Sequence, residues 1–250
     1  MSNLVLTDCK LYVGQYNFSG VANQIKLDYN AEMLDATTFN GSGTRIFVPG
    51  LRTVALSGKG LAETESVGPS LWTDDVMFSR IGATAVPMSV APVGNIEGER
   101  ALSFKAVNAT YQPLSGEVGS LLEYDLDAQA SDNTALIHGF MMATGAKTVT
   151  GNGTGFLIHD VEEGKRVYGA LHVVAWTGLT SLTVTIESGV TGSFTPPTTR
   201  LTFATKTALG YDWKEETAGV GGITDTYWRA KWTIAGTGSC SIYVVFGIQV

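Results

Sequence analysis

Residues 33–60, MLDATTFNGSGTRIFVPGLRTVALSGKG, have the pattern of two β-strands joined by a loose turn rich in glycine and serine. The stretch has no side-chain combination that is typical of catalysis. Proline removes a hydrogen-bond donor from a strand, so Pro49 followed by Gly50 predicts a bend at a sheet edge or a bulge. We therefore expect a hairpin with an extended loop at about residues 36–48.

The bulk composition indicates a chain built mainly of strands and turns. Glycine accounts for 30 of the 250 residues, and only 16% of the residues are charged. The length is sufficient for one large β domain or for two smaller ones with a buried core. The net charge of −7 excludes the overall basic footprint that binding to a phosphate backbone requires.

Hydrophobic and polar residues alternate with period two along much of the chain, which is typical of half-buried strands. The alternation is clearest in residues 181–188, SLTVTIES, and in the final ten residues, 241–250. In residues 226–236, TYWRAKWTIAG, it places Trp228 and Trp232 on one face. We predict strands in all three stretches and core positions for the two tryptophans.

One segment, GPSLWTDDVMFSRIG at residues 68–82, has the pattern of a helix of about three turns. Ser70 can cap its start, Asp74 and Asp75 suit the positive end of the helix dipole, and Gly82 can end it. The pattern predicts an apolar face of Leu71, Met77, Phe78 and Ile81, which Trp72 and Val76 widen. We expect this helix to lie against a sheet.

An acidic strand is predicted at residues 123–131, EYDLDAQAS. Glu123, Asp125 and Asp127 share one face, and carboxylates so close together repel one another. Calcium could relieve that repulsion, and so could plain solvation, which we favour.

The residues that could carry chemistry form no recognisable constellation. His138, His159 and His172 lack metal-ligand spacing, and no Gly-x-Ser-x-Gly motif is present. Cys9 and Cys240 lie near opposite ends of the sequence, which favours two free thiols over a disulfide framework. We predict no catalytic residue, no metal ligand and no cofactor, and hence no enzyme.

The chain is expected to divide at residues 141–156, MMATGAKTVTGNGTGF, a soft stretch rich in glycine and threonine. This linker separates a first domain, residues 1–140, from a second domain, residues 157–250. Both are rich in predicted strands, and whether they are an internal duplication stays open.

The hairpin sequence resembles the amino-terminal region of tail tube (major tail) proteins of long non-contractile-tailed, siphovirus-type bacteriophages. The positions that carry the resemblance are Asp35, Thr37, Thr38, Phe39, Arg45, Pro49, Gly50, Gly58 and Gly60. Residues 86–131 are also similar to that family, and residues 168–236 resemble the carboxy-terminal β domain of some phage tail proteins.

The resemblance implies a mainly β fold, a tail-tube-type β-sandwich or barrel with one flanking α-helix, followed by a second β-sandwich domain. The second domain is either an immunoglobulin-like ornament, which we favour, or a second tube-fold unit. The implied function is that of a structural virion protein, which polymerises as stacked rings into the hollow tail tube through which genome DNA passes during ejection.

The resemblance also implies roles for particular residues. The implied contacts between subunits and between rings fall on Thr38, Phe39, Arg45, Phe47, Pro49 and Gly50. Glu123, Asp125 and Asp127 are the candidates for side chains that face the lumen, where an acidic surface would repel DNA.

The implied partner is the chain itself, in hexameric rings or in pseudo-hexameric rings of three chains that each hold two units. Tape measure, tail tip and terminator proteins are further implied partners, while DNA crosses the lumen without specific binding. The implied location is the virion tail, with assembly in the bacterial host cytoplasm. No membrane is expected, because no apolar run approaches about 20 residues and no signal peptide is recognisable.

Two alternatives stay open at the level of sequence. A carbohydrate-binding β-sandwich could stack sugar rings on Trp213, Trp228 or Trp232, although two of these are predicted core residues. Another phage structural role, such as tail terminator or capsid decoration, would suit the same composition.

Overall fold

The computed structural model describes residues 6, 8–38, 44–61, 66–68, 71–115, 117–131, 134 and 136–249. The chain is mainly β, with 64% of it in strands and one short helix. Most strands belong to one large antiparallel sheet, and this confirms the predicted fold class.

The elements before residue 148 are β1 (Lys10–Val13), β2 (Tyr16–Asn17), β3 (Ala22–Asp35), β4 (Phe47–Leu61), β5 (Ser66–Gly68), β6 (Leu71–Trp72), α1 (Thr73–Arg80), β7 (Val86–Ala91), β8 (Arg100–Ser115), β9 (Glu123–Ala130) and β10 (Ile137–Lys147). The later elements are β11 (Gly151–Asn152), β12 (Phe156–Leu157), β13 (Arg166–Gly189), β14 (Thr198–Thr202), β15 (Gly210–Thr217) and β16 (Tyr227–Ile248).

The large sheet divides at β8. Leu102 of β8 pairs with β7 on one side and with β10 on the other, whereas Ala106 pairs with β7 and with β9. β9 and β10 therefore lie end to end along the same side of β8. One branch continues from β9 to β4 and β3, and the other continues from β10 to β16 and β13.

Helix α1 is present but shorter than predicted, with eight residues, or about two turns. Leu71 pairs with β5 instead of joining the helix, and Ser70 lies outside the described residues. Gly82, at φ +67°, follows the helix as expected.

The predicted apolar face of α1 is correct for Val76 and Met77 and wrong for Phe78 and Ile81. The residues buried along the helix are Thr73, Val76 and Met77, whereas Phe78 is 75% exposed and Ile81 is 44% exposed. Because the helix starts at Thr73 and has only two turns, only the turn that contains Val76 and Met77 packs into the first core.

Two large apolar cores follow the two branches of the sheet. The first core joins α1 to β3, β4, β8 and β9, and the second fills the bend of the long β13–β16 pair. In the second core Leu182, Val184 and Ile186 are fully buried, which confirms the alternation predicted for residues 181–188.

The predicted linker begins inside a strand. Residues 141–147 belong to β10 and pair with β16, and Met141 and Met142 are fully buried. A small third core, made of residues from both halves of the chain, includes Met141, Tyr12 and Val245. The halves are thus joined by continuous strand pairing, and the division into two domains stays a prediction.

Candidate functional site: an exposed arm and a polar sheet face

The distal part of the β3–β4 hairpin, residues 29–38 and 44–53, extends beyond the rest of the sheet; we call it the arm. β9 pairs with β4 only from Ala55 to Leu61, and β3 pairs only with β4 among the described residues. Every residue of the arm is exposed except Gly50, which is half-buried. Strand pairing and local hydrogen bonds, rather than burial in a core, therefore hold the arm together.

The arm carries many apolar side chains in solvent. The large ones, exposed by 44% to 78% of their surface, are Tyr29, Met33, Leu34, Ile46, Phe47, Val48 and Leu51. Exposed apolar side chains in such number are typical of an interaction site in soluble proteins.

Local hydrogen bonds close the arm towards its tip. The backbone N–H of Ala36 donates to the Ile46 carbonyl over 2.8 Å, and the N–H of Ile46 donates to the Thr37 hydroxyl over 3.0 Å. The Thr37 hydroxyl, and secondly the Thr37 backbone N–H, bond to the Asp35 carboxylate and lower the pKa of Asp35. Residues 35–37 are thus held against Ile46 by their own polar groups.

Pro49 and Gly50 lie where the pairing of β3 and β4 shifts register, between Ala31 and Met33 of β3. β4 has no second strand partner there among the described residues, so Pro49 lies on an open edge, as predicted. A Cβ atom on Gly50 would lie 3.2 Å from the Glu32 Cβ, which explains a small residue at this bulge.

The arm contains five of the six predicted contact residues, Thr38, Arg45, Phe47, Pro49 and Gly50. Phe39 lies outside the described residues. Contacts of these residues with other copies of the chain stay a prediction.

Below the arm, β3, β4, β9 and β8 form a four-stranded sheet with one polar face. The side chains that the strand register places on this face are Gln24, Lys26 and Asp28 of β3, Ser57 and Lys59 of β4, Asp125 and Asp127 of β9, and Thr110 and Gln112 of β8. We call this surface the polar face.

Lysines moderate the acidity that the sequence predicts for the polar face. Lys59 lies 3.3 Å from the Asp125 carboxylate, and Lys26 lies 2.6 Å from Asp28. Asp127 is exposed and Glu123 is half-buried. Neither lysine was predicted to lie on this face, although for Lys26 the alternation in residues 23–29, NQIKLDY, was the available signal. A role of the three acids in a lumen stays a prediction.

The opposite face of the same sheet is covered. Leu56, Tyr124, Leu126 and Ala128 are buried there, in the core cluster that also contains Val76 and Met77 of α1. The sheet therefore has one solvated face and one face packed on a helix.

Within the described part of the chain, both outer edges of this four-stranded sheet are open. Among the described residues, no strand pairs with the outer edge of β3. On the outer side of β8, β7 reaches only Ala106, and Ile81 forms an isolated bridge with Asn108. Beyond Asn108, no described strand pairs with that side of β8. Open edges such as these favour pairing with another chain.

Tryptophan burial argues against a sugar-stacking surface. Trp228 is fully buried and Trp232 is 8% exposed, so both are core residues, as predicted. Their indole N–H groups donate to the backbone carbonyls of His159 and Val149, over 3.0 Å and 2.9 Å. Trp213 is half-buried. The ring faces that the carbohydrate alternative requires are largely covered.

His172 lies in a fully buried polar network that joins the two halves of the chain. Its Nδ1 lies 2.6 Å from the Gly14 carbonyl, and its Nε2 lies 2.8 Å from the Ser89 hydroxyl. A carbonyl oxygen only accepts, so Nδ1 carries the proton and Ser89 donates to Nε2. Ser103, 2.9 Å from Ser89, completes the network. Burial lowers the pKa of His172 to about 4.

The remaining features of the described residues include two thiols and one cleft. Within the part of the chain that the structure describes, no three His, Cys, Asp or Glu residues lie together as metal ligands, and both cysteines are free thiols. A cleft of about 840 Å³ beside the root of the arm is lined by mixed polar and apolar residues, such as His138, Gln249 and Ile137. No described helix is long and apolar enough to span a bilayer.

Comparisons with known proteins give weak likenesses. No family model and no curated protein matches the chain. A chain of the virion of a native gene transfer agent particle has a TM-score of 0.43 and 14% identity, covering 54% of this chain and 98% of that one. A chain from the tail of an empty gene transfer agent particle has a TM-score of 0.37 and 17% identity, covering 47% and 81%.

A further likeness extends over almost the full chain. The Dit protein (gp 19.1) of SPP1, described as a paradigm of the hub adsorption apparatus in phages that infect Gram-positive bacteria, has a TM-score of 0.38 and 11% identity. The alignment covers 97% of this chain and 99% of that one. All three TM-scores lie below 0.5, and at that level a likeness carries no argument about function.

Proposed function

We propose that this chain is a structural protein of a phage tail, which polymerises as stacked rings into a hollow tube that conducts DNA. The observation that carries the proposal is the sheet β3–β4–β9–β8, with one polar face, one covered face and two open edges. Ring closure would pair the open edge of β3 with the open edge of β8 in the next copy, and would leave the polar face on the lumen.

The strand directions support a cyclic arrangement. All three pairings within the sheet are antiparallel, so β8 runs opposite to β3. A rotation about an axis along the tube preserves strand direction, and the β3 of the next copy therefore meets β8 in the antiparallel sense. Such a head-to-tail contact closes into a ring when the rotation closes. A sheet with an even number of alternating strands satisfies this condition.

The polar face suits passage of DNA without binding. Asp28, Asp125 and Asp127 outnumber Lys26 and Lys59, so the surface carries a net negative charge that repels phosphate. The lysines lie 2.6 Å from Asp28 and 3.3 Å from Asp125, which reduces their availability to the phosphate backbone. This arrangement supports the lumen assignment of the acidic strand.

Six chains per ring are favoured over three. Only β3–β4–β9–β8 combines a polar face with two open edges in the described residues, and no helix is described after residue 147. One ring-forming sheet per chain supports the true hexamer, with the second half of the chain as an ornament outside the tube.

Disulfide trapping tests the ring. In a Cys9→Ser, Cys240→Ser background, Thr110→Cys is combined in turn with Gln24→Cys, Lys26→Cys or Asp28→Cys. β3 and β8 of one chain are separated by about 14 Å, beyond the roughly 7 Å limit between Cα atoms for a disulfide, so any bond joins different copies. We expect oxidised protein to form a ladder that ends at six chains, whereas each single-cysteine variant stops at dimers.

Electron microscopy of concentrated protein separates this function from its rivals. Hollow tubes support the proposal. A chain that stays monomeric and forms no disulfide-linked oligomers overturns the proposal. Binding of that monomer to a glycan array supports the carbohydrate alternative. Isolated rings or capsid knobs indicate a terminator or a decoration protein instead.

A further inference from the structure

The first core is unfinished on both sides of the sheet β3–β4–β9–β8. At the β3 edge, Ile25 and Leu27 pack against this core but are only half-buried. On the β8 side, the end of α1 leaves Phe78 75% exposed and Ile81 44% exposed. Apolar side chains therefore remain partly in water beside each of the two open edges.

One row of paired residues connects these two sets of side chains. Leu27 of β3 pairs with Leu56 of β4, which pairs with Ala128 of β9. Ala128 pairs in turn with Asn108 of β8, and Ile81 forms its bridge with Asn108 on the outer side of that strand. Paired residues point to the same face of a sheet, and Leu56 and Asn108 are buried. Leu27 and Ile81 thus lie on the covered face, at opposite ends of the row.

Phe78 and Ile81 form one exposed apolar patch beside the β8 edge; we call it the α1 patch. The Ile81 N–H donates to the Phe78 carbonyl over 3.4 Å, and residues three apart in such a turn lie on the same side. The Tyr111 hydroxyl of β8 donates to the Asp74 carboxylate of α1 over 2.6 Å. The patch is therefore held in place next to β8.

The open edge of β8 is short. Ile81 occupies the outer side of β8 at Asn108, so another strand can pair there only beyond that residue. Pro113 interrupts the rest of the edge, because proline has no backbone N–H to donate. A contact between two strands with so few hydrogen bonds is marginal in water. A stable junction at this edge needs apolar burial as well.

We propose that Phe78 and Ile81 of one copy pack on Ile25 and Leu27 of the neighbouring copy in the same ring. This inference rests on the proposed ring and names the side-chain contact that closes it. With the polar face on the lumen, Ile25 and Leu27 of the neighbour face away from the lumen, on the same side of the sheet as the α1 patch. The first cores of adjacent copies then join into one apolar layer, and the occupant of the α1 patch is a second copy of this chain.

A charge in the α1 patch tests the contact. We expect Phe78→Asp to raise at least tenfold the protein concentration at which half of the chains are in rings, measured by analytical ultracentrifugation. The matched control is Leu157→Asp, at a residue that is 66% exposed and lies outside the first core; it should stay within twofold of the unaltered protein. Urea denaturation below that concentration should give both variants the unaltered unfolding midpoint. Rings of Phe78→Asp at the unaltered concentration overturn the inference and leave the proposed ring standing.

Disulfide trapping tests the position of the contact. In the Cys9→Ser, Cys240→Ser background, Ile81→Cys is combined in turn with Ile25→Cys or Leu27→Cys. Ile81 and Leu27 of one chain are four strand spacings apart, about 19 Å, so a bond between them joins different copies. We expect at least one pair to form a ladder that ends at six chains.

The matched controls combine Ile81→Cys with Gln24→Cys or Lys26→Cys, which lie on the polar face of the same strand. These pairs should form no ladder. If neither Ile25→Cys nor Leu27→Cys gives a ladder while the Thr110→Cys pairs do, the inference is overturned and the ring stands. Equal ladders from the controls also overturn it, because they would place the polar face against α1. If the Thr110→Cys pairs give no ladder either, the inference fails together with the proposed function.

Discussion

The chain contains two pairs of long antiparallel strands, and they differ in what covers them. β13 and β16 have further strands on their outer sides, and their alternating side chains fill the second core. β3 and β4 are paired as continuously, yet beyond Val54 their apolar side chains face water. The difference shows that strand pairing can form a long hairpin without burying its side chains. The side chains of β13 and β16 are buried by other strands of the same chain, whereas those of the arm are not.

The largest expected effect is a difference in the free energy of unfolding between a variant in β16 and a variant in the arm. Trp228 is fully buried in β16 and its ring stacks on Phe246 at 4.6 Å, whereas Phe47 on the arm is 47% exposed. We expect Trp228→Ala to lower the free energy of unfolding by about 3–5 kcal/mol and Phe47→Ala to change it by less than about 1 kcal/mol. Urea denaturation of the two variants checks the comparison. Equal losses would mean that the arm is packed in solution.

The next effect is a loss of unfolding free energy at low pH, of roughly 3 kcal/mol, which we expect from protonation of His172 in β13. The pKa of His172 in the folded chain, about 4, lies below the ordinary value of 6.5. The unfolded chain therefore takes up a proton first as the pH falls. The stability that neutral His172 contributes is complete above about pH 6.5 and is lost progressively towards pH 4.

Variants at two histidines isolate that contribution. His172→Gln should flatten the loss of unfolding free energy between pH 6.5 and pH 4, measured by urea denaturation at several pH values. His138→Gln is the control, because its pKa is also lowered, by burial and then by Arg100, but the side chain is largely solvated. A pH profile of His172→Gln that matches the unaltered protein would contradict the buried neutral form.

The smallest effect is expected on the polar face, near the end of β4 that lies opposite the arm. Lys59 and Asp125 form an ion pair at 3.3 Å with both side chains partly solvated. We expect Lys59→Ala to change the free energy of unfolding by about 0.5 kcal/mol or less, because such pairs contribute little in water. Thermal denaturation at low and high salt checks this, and a loss above about 2 kcal/mol would place the pair in a buried site.

The local sequence pattern was sufficient to predict the strands and their buried positions, but it was insufficient to predict which other elements pack against them. The period-two alternation predicted Leu182, Val184, Trp228 and Trp232 in the core, because strand periodicity is a local property. The shorter helix was missed, because the pairing of Leu71 with β5 is a tertiary choice that overrides helix propensity.

Hydrogen-bond and ion-pair partners that are far apart in the chain could not be predicted from the sequence. His172 bonds to Gly14 and Ser89, which are far from it in the chain, and no spacing rule connects them. For the same reason the pairing of Lys59 with Asp125 across β4 and β9 could not be predicted. The arm sequence was identified as a hairpin, but its lack of cover follows from β9 pairing with β4 only from Ala55 onward.

The shared strand β8 has a mechanical consequence. Within the described pairings, β8 links the branch that carries the arm to the branch that carries β13 and β16. A pull on the arm along its own direction would load the ladders of β4, β9 and β8 in shear, so that many hydrogen bonds must yield together. Tension applied to the arm would thus be resisted by one continuous set of strand ladders, and through β8 these ladders connect to the second half of the chain.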